Sequence, residues 1–315
     1  MGFFASLINS MPSAVAQGLI WGIMAIGVYL TYRILDVADL TVDGSLGTGG
    51  AVCVVMVLNG APVGLALLAA TAAGMLAGLV TGLFHTACGI PAILAGILTQ
   101  LALYSVNLRI MGFGTGGGKA NLPISVDKYS LLVSARYVRN VALNNPILTL
   151  AIFCAVLIAV LYWFFGTELG CSLRATGANQ NMARAQGINT NVAKVLGLMI
   201  SNGLVALAGG LLAQYQGFSD INMGRGAIVI GLAAVIIGEV IFSRIFRNFA
   251  LKLLSAVIGA IIYYIVMVFV LRLGLSTDDL KLLTALVVAL FLTIPYWKGK
   301  YFTKTSVKKG EKNHA

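Results

Sequence analysis

Apolar positions in this chain come in long runs from which charge is missing altogether. No residue from Gly44 to Leu108 is charged, a run of 65. Shorter uncharged runs cover Met1 to Tyr32, Asn140 to Thr167, Val195 to Ser219, Leu253 to Leu271 and Leu282 to Trp297. A bilayer core about 30 Å thick is crossed by about 20 apolar residues in a helix, so the pattern predicts a polytopic membrane protein. Breaks fall at Asn59-Gly60-Ala61-Pro62, Cys88-Gly89-Ile90-Pro91 and Asn144-Asn145-Pro146, because proline lacks an N–H and turns the preceding residue away from helix. Runs and breaks together predict nine spans, give or take one, near residues 12–32, 42–58, 62–84, 90–110, 146–166, 192–216, 226–242, 253–272 and 281–297. The predicted fold class is all-α: a helical bundle of about 8–10 membrane helices forming one domain over residues 1–297, with a basic tail at 298–315.

Charge orients the bundle. In the C-terminal half, positive loops (Thr167 to Asn191 and Ser243 to Lys252) alternate with neutral ones (Gly217 to Arg225 and Arg272 to Lys281), and the tail from Lys298 is strongly positive. Lysine and arginine collect in cytoplasmic loops, which predicts a cytoplasmic C-terminus and, counting back, an N-terminus outside. The segment Gly112 to Asn145, with Lys119, Lys128, Arg136 and Arg139 against Asp127, then falls outside against the local charge rule. MGFFASLINSMPS has no basic region and no small-residue cleavage site, so the first apolar segment is expected to stay.

Small residues recur at a spacing of four, at Gly18 and Gly22, at Gly74, Gly78 and Gly82, and at Ala206 and Gly210. Such faces let helix backbones approach closely where lipid removes the hydrophobic drive. Polar residues at membrane depth are costly unless satisfied or facing a cavity. Asp36, Asp39 and Asp43 sit in LDVADLTVDGSLGTGG, whose Gly44, Gly47, Gly49 and Gly50 are expected to loosen any helix and give a broken or re-entrant start to the second span. Asp43, Thr99, Gln100, Ser201 and Asn202 are the candidate pathway residues, with helix–helix hydrogen bonds as the plainer role for each.

Composition adds exclusions. The chain is 59% hydrophobic and 10% charged, against about 45–50% and about 25% in soluble domains, which excludes a soluble globular enzyme. The net charge of +11 lies mostly in loops and tail, so nucleic acid is not an expected partner. Cys53, Cys88, Cys154 and Cys171 form no CxxC pair, and His85 and His314 are too far apart for a zinc site, so no metal site is expected. GFGTGG at Gly112 to Gly117 follows a membrane helix rather than a strand, and GGGKA has Ala120 where a phosphate loop needs Ser or Thr. No catalytic set is visible.

The segment Gly166 to Leu198, GTELGCSLRATGANQNMARAQGINTNVAKVLGL, is polar and predicts a short helix from Ala178 to Gln186, with Gly187 as its left-handed C-terminal cap. Its pattern of Gly170, Leu173-Arg174-Ala175, Gly177, Asn179, Ala183-Arg184 and Gly187-Ile188 resembles the cytoplasmic coupling loop of permease subunits of ATP-binding cassette importers, of the branched-chain amino acid and ribose type. The resemblance continues through Ser201-Asn202-Gly203, Ala206 and Ala208-Gly209-Gly210, into GRGAIVIGLAAVIIGEVIF, and takes in Tyr32 to Ala51. It departs at Glu239-Val240, where members often carry a glycine pair.

The resemblance implies a bacterial plasma (inner) membrane permease with its coupling loop at 167–191. Arg174, Ala175, Gly177, Asn179, Ala183, Arg184, Gly187 and Ile188 would engage a separate ATP-binding cassette ATPase subunit, which binds ATP and Mg; this chain would carry no cofactor of its own. It also implies a pair of permease copies, identical or not, and an extracytoplasmic substrate-binding protein or lipoprotein that delivers a small solute. Among its members the chain resembles a subgroup described as amino-acid importers, tryptophan and tyrosine included. The rival reading is an ion-coupled secondary transporter, for which Asp43 and Glu239 are the available intramembrane carboxylates.

Overall fold

The computed structural model describes residues 3–114, 117–125, 128–129, 131–138, 145–242, 245–246 and 248–272, with 282, 284–286, 288–291 and 293 beyond them. Its helices are α1 (Phe3–Tyr29), α2 (Val42–Leu58), α3 (Val63–Thr86), α4 (Ala92–Met111), α5 (Pro146–Phe164), α6 (Glu168–Ala178), α7 (Gln180–Ala185), α8 (Thr190–Gln216), α9 (Ala227–Phe242) and α10 (Phe249–Arg272). Among the described residues, six segments are long and apolar enough to cross a bilayer: Asn9–Ile34, Val63–Thr86, Ala92–Met111, Pro146–Phe164, Thr190–Gln216 and Phe249–Arg272. The chain is a polytopic all-α membrane protein. The tail at 298–315 and most of the predicted span at 281–297 lie outside the described residues.

Two of the predicted spans, 42–58 and 226–242, form helices at almost those bounds but are short. Helices α2 and α9 have 17 and 16 residues, about 25 Å at 1.5 Å per residue, and both begin inside the bundle rather than at its end. The cause lies just before α2. Helix α1 closes in a π-helical turn at Leu30–Ile34, Asp36 takes a left-handed backbone at φ 54°, and the chain doubles back so that Ser45 meets Asn202, half-way along α8. The break predicted from the glycines is therefore displaced. Gly44, Gly47, Gly49 and Gly50 all lie within α2. A Cβ on Gly49 would run into the Ala206 backbone, and one on Gly44 into Leu103. Close packing against α8 and α4 offsets the roughly 1 kcal/mol that each helical glycine costs.

The other small-residue faces pack as helix contacts. Gly18 and Gly22 abut Ile261 and Val257 of α10, while Gly74, Gly78 and Gly82 abut Asn202, Leu198 and Val195 of α8. Burial separates centre from rim. The apolar windows of α1 and α8 are 89% and 78% buried, against 17% for α5, and a helix that is apolar all round belongs in the middle or in lipid. Helix α5 turns Leu148, Ile152, Val156 and Val160 outward.

Contacts between chain ends fix the topology. Ser13 of α1 bonds Tyr215 of α8 at 3.0 Å, whereas Ile34 meets Gly177 of α6 at the other end. Strand β1 (Asn121–Pro123) pairs antiparallel with β2 (Phe218–Asp220) beyond the Tyr215 end, and Ile124 N–H donates to the Gly217 carbonyl at 2.9 Å. The basic segment following Gly112 thus caps the end opposite α6 and α7.

Candidate functional site

The polar loop after α5 folds into two helices where the sequence predicts one. Thr167 caps α6 and Asn179 caps α7 through its side-chain oxygen, which accepts from Met182 N–H at 3.1 Å. An Asn at an N-cap satisfies a donor that the helix leaves open, and its extended backbone (φ −160°, ψ 106°) splits the segment there. Helix α7 has 6 residues, about 9 Å. Gly187 follows with φ 79°, the left-handed conformation predicted for its cap. Gly177 lies inside α6, and its missing side chain lets α6 sit against the backbone of Ile34 and Leu35.

Both arginines of this element are held from within. Arg174 donates to the Phe165 carbonyl at 2.7 Å and lies over the Phe249 ring, and Arg184 donates from Nε to Thr190 Oγ1 at 2.9 Å. Ala183 and Leu173 are buried, while Asn179, Met182, Arg184 and Gly187 are exposed. The α6–α7 unit is thus a small platform: its inner face packs on the π turn and α8, and its outer face is exposed.

A second polar region lies where α2 and α9 begin. Asp43 accepts Gly226 N–H and Ile228 N–H at 2.9 Å each, so its carboxylate caps the positive N-terminal end of α9. Asp39, buried, accepts Thr41 N–H at 2.9 Å and Asn202 Nδ2 at 2.6 Å, and Asn202 Oδ1 in turn accepts from Ser45 at 2.6 Å. Thr41, Thr81 and Thr99 form a hydroxyl chain at 2.7 and 2.9 Å. Ser201 donates to the Gly27 carbonyl at 2.7 Å. Of the candidate pathway residues, Thr99, Ser201 and Asn202 are therefore buried in bonds between helices of one bundle. Asp43 and Gln100 instead line a cavity of about 280 Å³, with Leu101, Tyr104, Asn107 and Arg225.

With this geometry in place, comparison with known proteins is decisive. The sequence profile of the branched-chain amino acid transport system / permease component family matches residues 10–294. The chain belongs to this family. It is 41% identical over 286 residues to the tyrosine transport system permease protein of Clostridioides difficile, covering 90% of each chain. It is 27% identical to the autoinducer 2 import system permease protein LsrC of Salmonella paratyphi B, over 74% of this chain and 64% of that one. A solved structure, PsaBC from Streptococcus pneumoniae in complex with Fab, shares the fold at a TM-score of 0.51 and 16% identity, covering 95% of this chain and 98% of that one.

The protein is thus the small-solute translocation subunit of an ATP-binding cassette importer, a transport component rather than an enzyme. The carboxylates that an ion-coupled carrier would need are engaged otherwise in this permease, Asp43 by α9 and Glu239 by Arg33 at 3.0 Å. Sequence reasoning missed Tyr104, Asn107 and Arg225. The first two were findable, since Gln100, Tyr104 and Asn107 at i, i+4 and i+7 mark one polar face on an otherwise apolar helix.

Proposed function

We propose that this permease carries an amino acid with an aromatic side chain across the bacterial plasma membrane, driven by ATP hydrolysis on a separate subunit. Two permease copies stand side by side, each seating α6–α7 on an ATPase subunit that holds ATP and Mg. An extracytoplasmic binding protein delivers the cargo at the β1–β2 end, and the C-terminus lies with α6 and α7 in the cytoplasm. The tyrosine transport relative, whose match covers 90% of this chain, supports this cargo.

The observation that carries the coupling role is the platform itself. Its outer face mixes polar residues such as Asn179 and Arg184 with exposed Leu169 and Met182, and its inner face touches Ile34 and Leu35, just before the chain turns towards Asp39 and Asp43. Closure of the ATPase pair pushes on α6–α7 and biases the bundle between its two access states. Arg174, Ala175, Gly177, Asn179, Ala183, Arg184, Gly187 and Ile188 form or brace the docking face, with Arg174 and Arg184 acting as internal struts.

Gly187→Val tests this. A β-branched residue at φ 79° is strained by at least about 1–2 kcal/mol, so the end of α7 unwinds while the membrane helices stay packed. ATP-driven uptake of radiolabelled L-tyrosine into vesicles should fall by about tenfold or more, with permease abundance in the membrane unchanged. Gly187→Asn, which tolerates this conformation, should retain most uptake. Full uptake by the valine variant refutes the coupling role.

A further inference from the structure

The cavity at the start of α2 and α9 is built from three separate stretches of chain: Asp43 from α2, Gln100, Tyr104 and Asn107 from α4, and Arg225 from the connection into α9. Its floor is set by two helices that begin inside the bundle. Discontinuous helices meeting at mid-depth are where irregular backbone is tolerated in a membrane, because it faces a cavity instead of lipid. At about 280 Å³ the cavity stands at the lower edge of the roughly 300–1,000 Å³ typical of small-molecule sites, a fit for a solute of amino-acid size.

Its polar groups are not all spent on the fold. Asn107 is 2% exposed, its Nδ2 donates to the Gly44 carbonyl at 3.4 Å, and its Oδ1 is buried with no hydrogen-bond partner among the described residues. A buried polar atom without a partner costs free energy and asks for an explanation. Both oxygens of Asp43 are taken by the amides of α9, so Asp43 holds the site together. Arg225, which also lines the cavity, is exposed, and among the described residues no carboxylate pairs with it. Leu101, Ile221 and the Tyr104 ring supply the apolar surface.

We infer that this cavity seats the cargo in transit as a zwitterionic α-amino acid, with Arg225 on its carboxylate, Asn107 and Gln100 on its ammonium group, and Tyr104 and Leu101 against its aromatic side chain. The assignment rests on the amino-acid importer reading above. A guanidinium matches a carboxylate through two parallel N–H bonds. The ammonium supplies the donor that Asn107 Oδ1 lacks. A solute without charge would leave Arg225 unanswered, and one without an ammonium would leave the amide so.

The test uses the permease–ATPase complex purified without the binding protein, so that selectivity belongs to the permease alone. Binding of radiolabelled L-tyrosine is competed with tyramine, which lacks the carboxylate, and with 3-(4-hydroxyphenyl)propionate, which lacks the ammonium. L-Tyrosine should compete about tenfold or more better than either analogue, the loss of one charge-assisted bond. Arg225→Gln should abolish discrimination against tyramine and keep it against the propionate, Asn107→Leu the reverse, and Arg225→Lys should restore part of the first. No saturable binding by the wild-type complex, or equal competition by all three compounds, overturns the assignment without needing any variant. In parallel, wild-type vesicles with all partners are assayed for ATP-driven tyrosine uptake. Uptake present with discrimination absent sinks the cavity alone, whereas uptake absent sinks the cargo reading beneath it.

Discussion

Asn202→Leu should destabilise the folded permease by about 3–5 kcal/mol, the range seen when one member of a buried polar pair is removed. The side chain is fully buried and serves three partners: it donates to Asp39 Oδ2 and the Leu198 carbonyl, and it accepts from Ser45. Leucine leaves the Asp39 carboxylate with Thr41 alone, through its amide and its hydroxyl, and strands the Ser45 hydroxyl. Net stabilities of folded domains are only about 5–15 kcal/mol, so most of the margin is at stake. In detergent, the melting temperature followed by size-exclusion chromatography after heating should fall by roughly 10 °C. Asp39→Leu combined with Asn202→Leu should be less damaging than the sum of the two single changes, because it removes the stranded charge along with its partner. A single leucine variant that melts with the wild type would show that Asp39 draws its stabilisation from elsewhere.

Gly78→Leu should have a comparable effect through sterics. A Cβ on Gly78 would lie inside van der Waals contact of the Leu198 carbonyl and 2.8 Å from the Cα of Met199. Backbone cannot rotate aside as a side chain can, so α3 and α8 must separate. Overpacking of a close-packed interior costs typically about 1–3 kcal/mol, and more when backbone is the obstacle. Gly64 sits on the same helix, and a Cβ there would meet nothing within 4 Å, so Gly64→Leu provides a matched change in hydrophobicity without the clash. Yield of monodisperse protein should collapse for Gly78→Leu and stay near wild type for Gly64→Leu. Equal yields would mean that α3 and α8 are not held at glycine distance.

Much of this fold was legible because lipid makes charge conspicuous. The uncharged stretch Gly44 to Leu108 resolves into α2, α3 and α4 at the proline breaks, and the fourfold spacing of Gly74, Gly78 and Gly82 reports a real helix contact. What composition cannot reveal is depth. A glycine-rich helix start reads the same whether the glycines break the helix or admit a neighbour, and only the Ala206 backbone beside Gly49 distinguishes the two. In the coupling segment Gly187 was legible from its place after a run of helix formers. Gly177 was not, because its reason is Ile34, far away in the chain. Arg225 escaped for a related cause: its polar neighbours in the cavity come from α2 and α4, and nothing local marks it.

The short α2 also bears on how the chain enters the membrane. Its 17 residues begin with Asp43 in the first turn, a weak stand-alone insertion signal beside the about 20 apolar residues of a full span. The four-residue break at Asn59 to Pro62 joins it to the strongly apolar α3, so the two are suited to insertion together as a helical hairpin. With no basic residue between Arg33 and Arg109 other than His85, neither arm carries its own topological signal. Their direction is inherited from the flanking helices, and the Asp39–Asn202 and Asp43–α9 bonds can close only once α8 and α9 have left the ribosome.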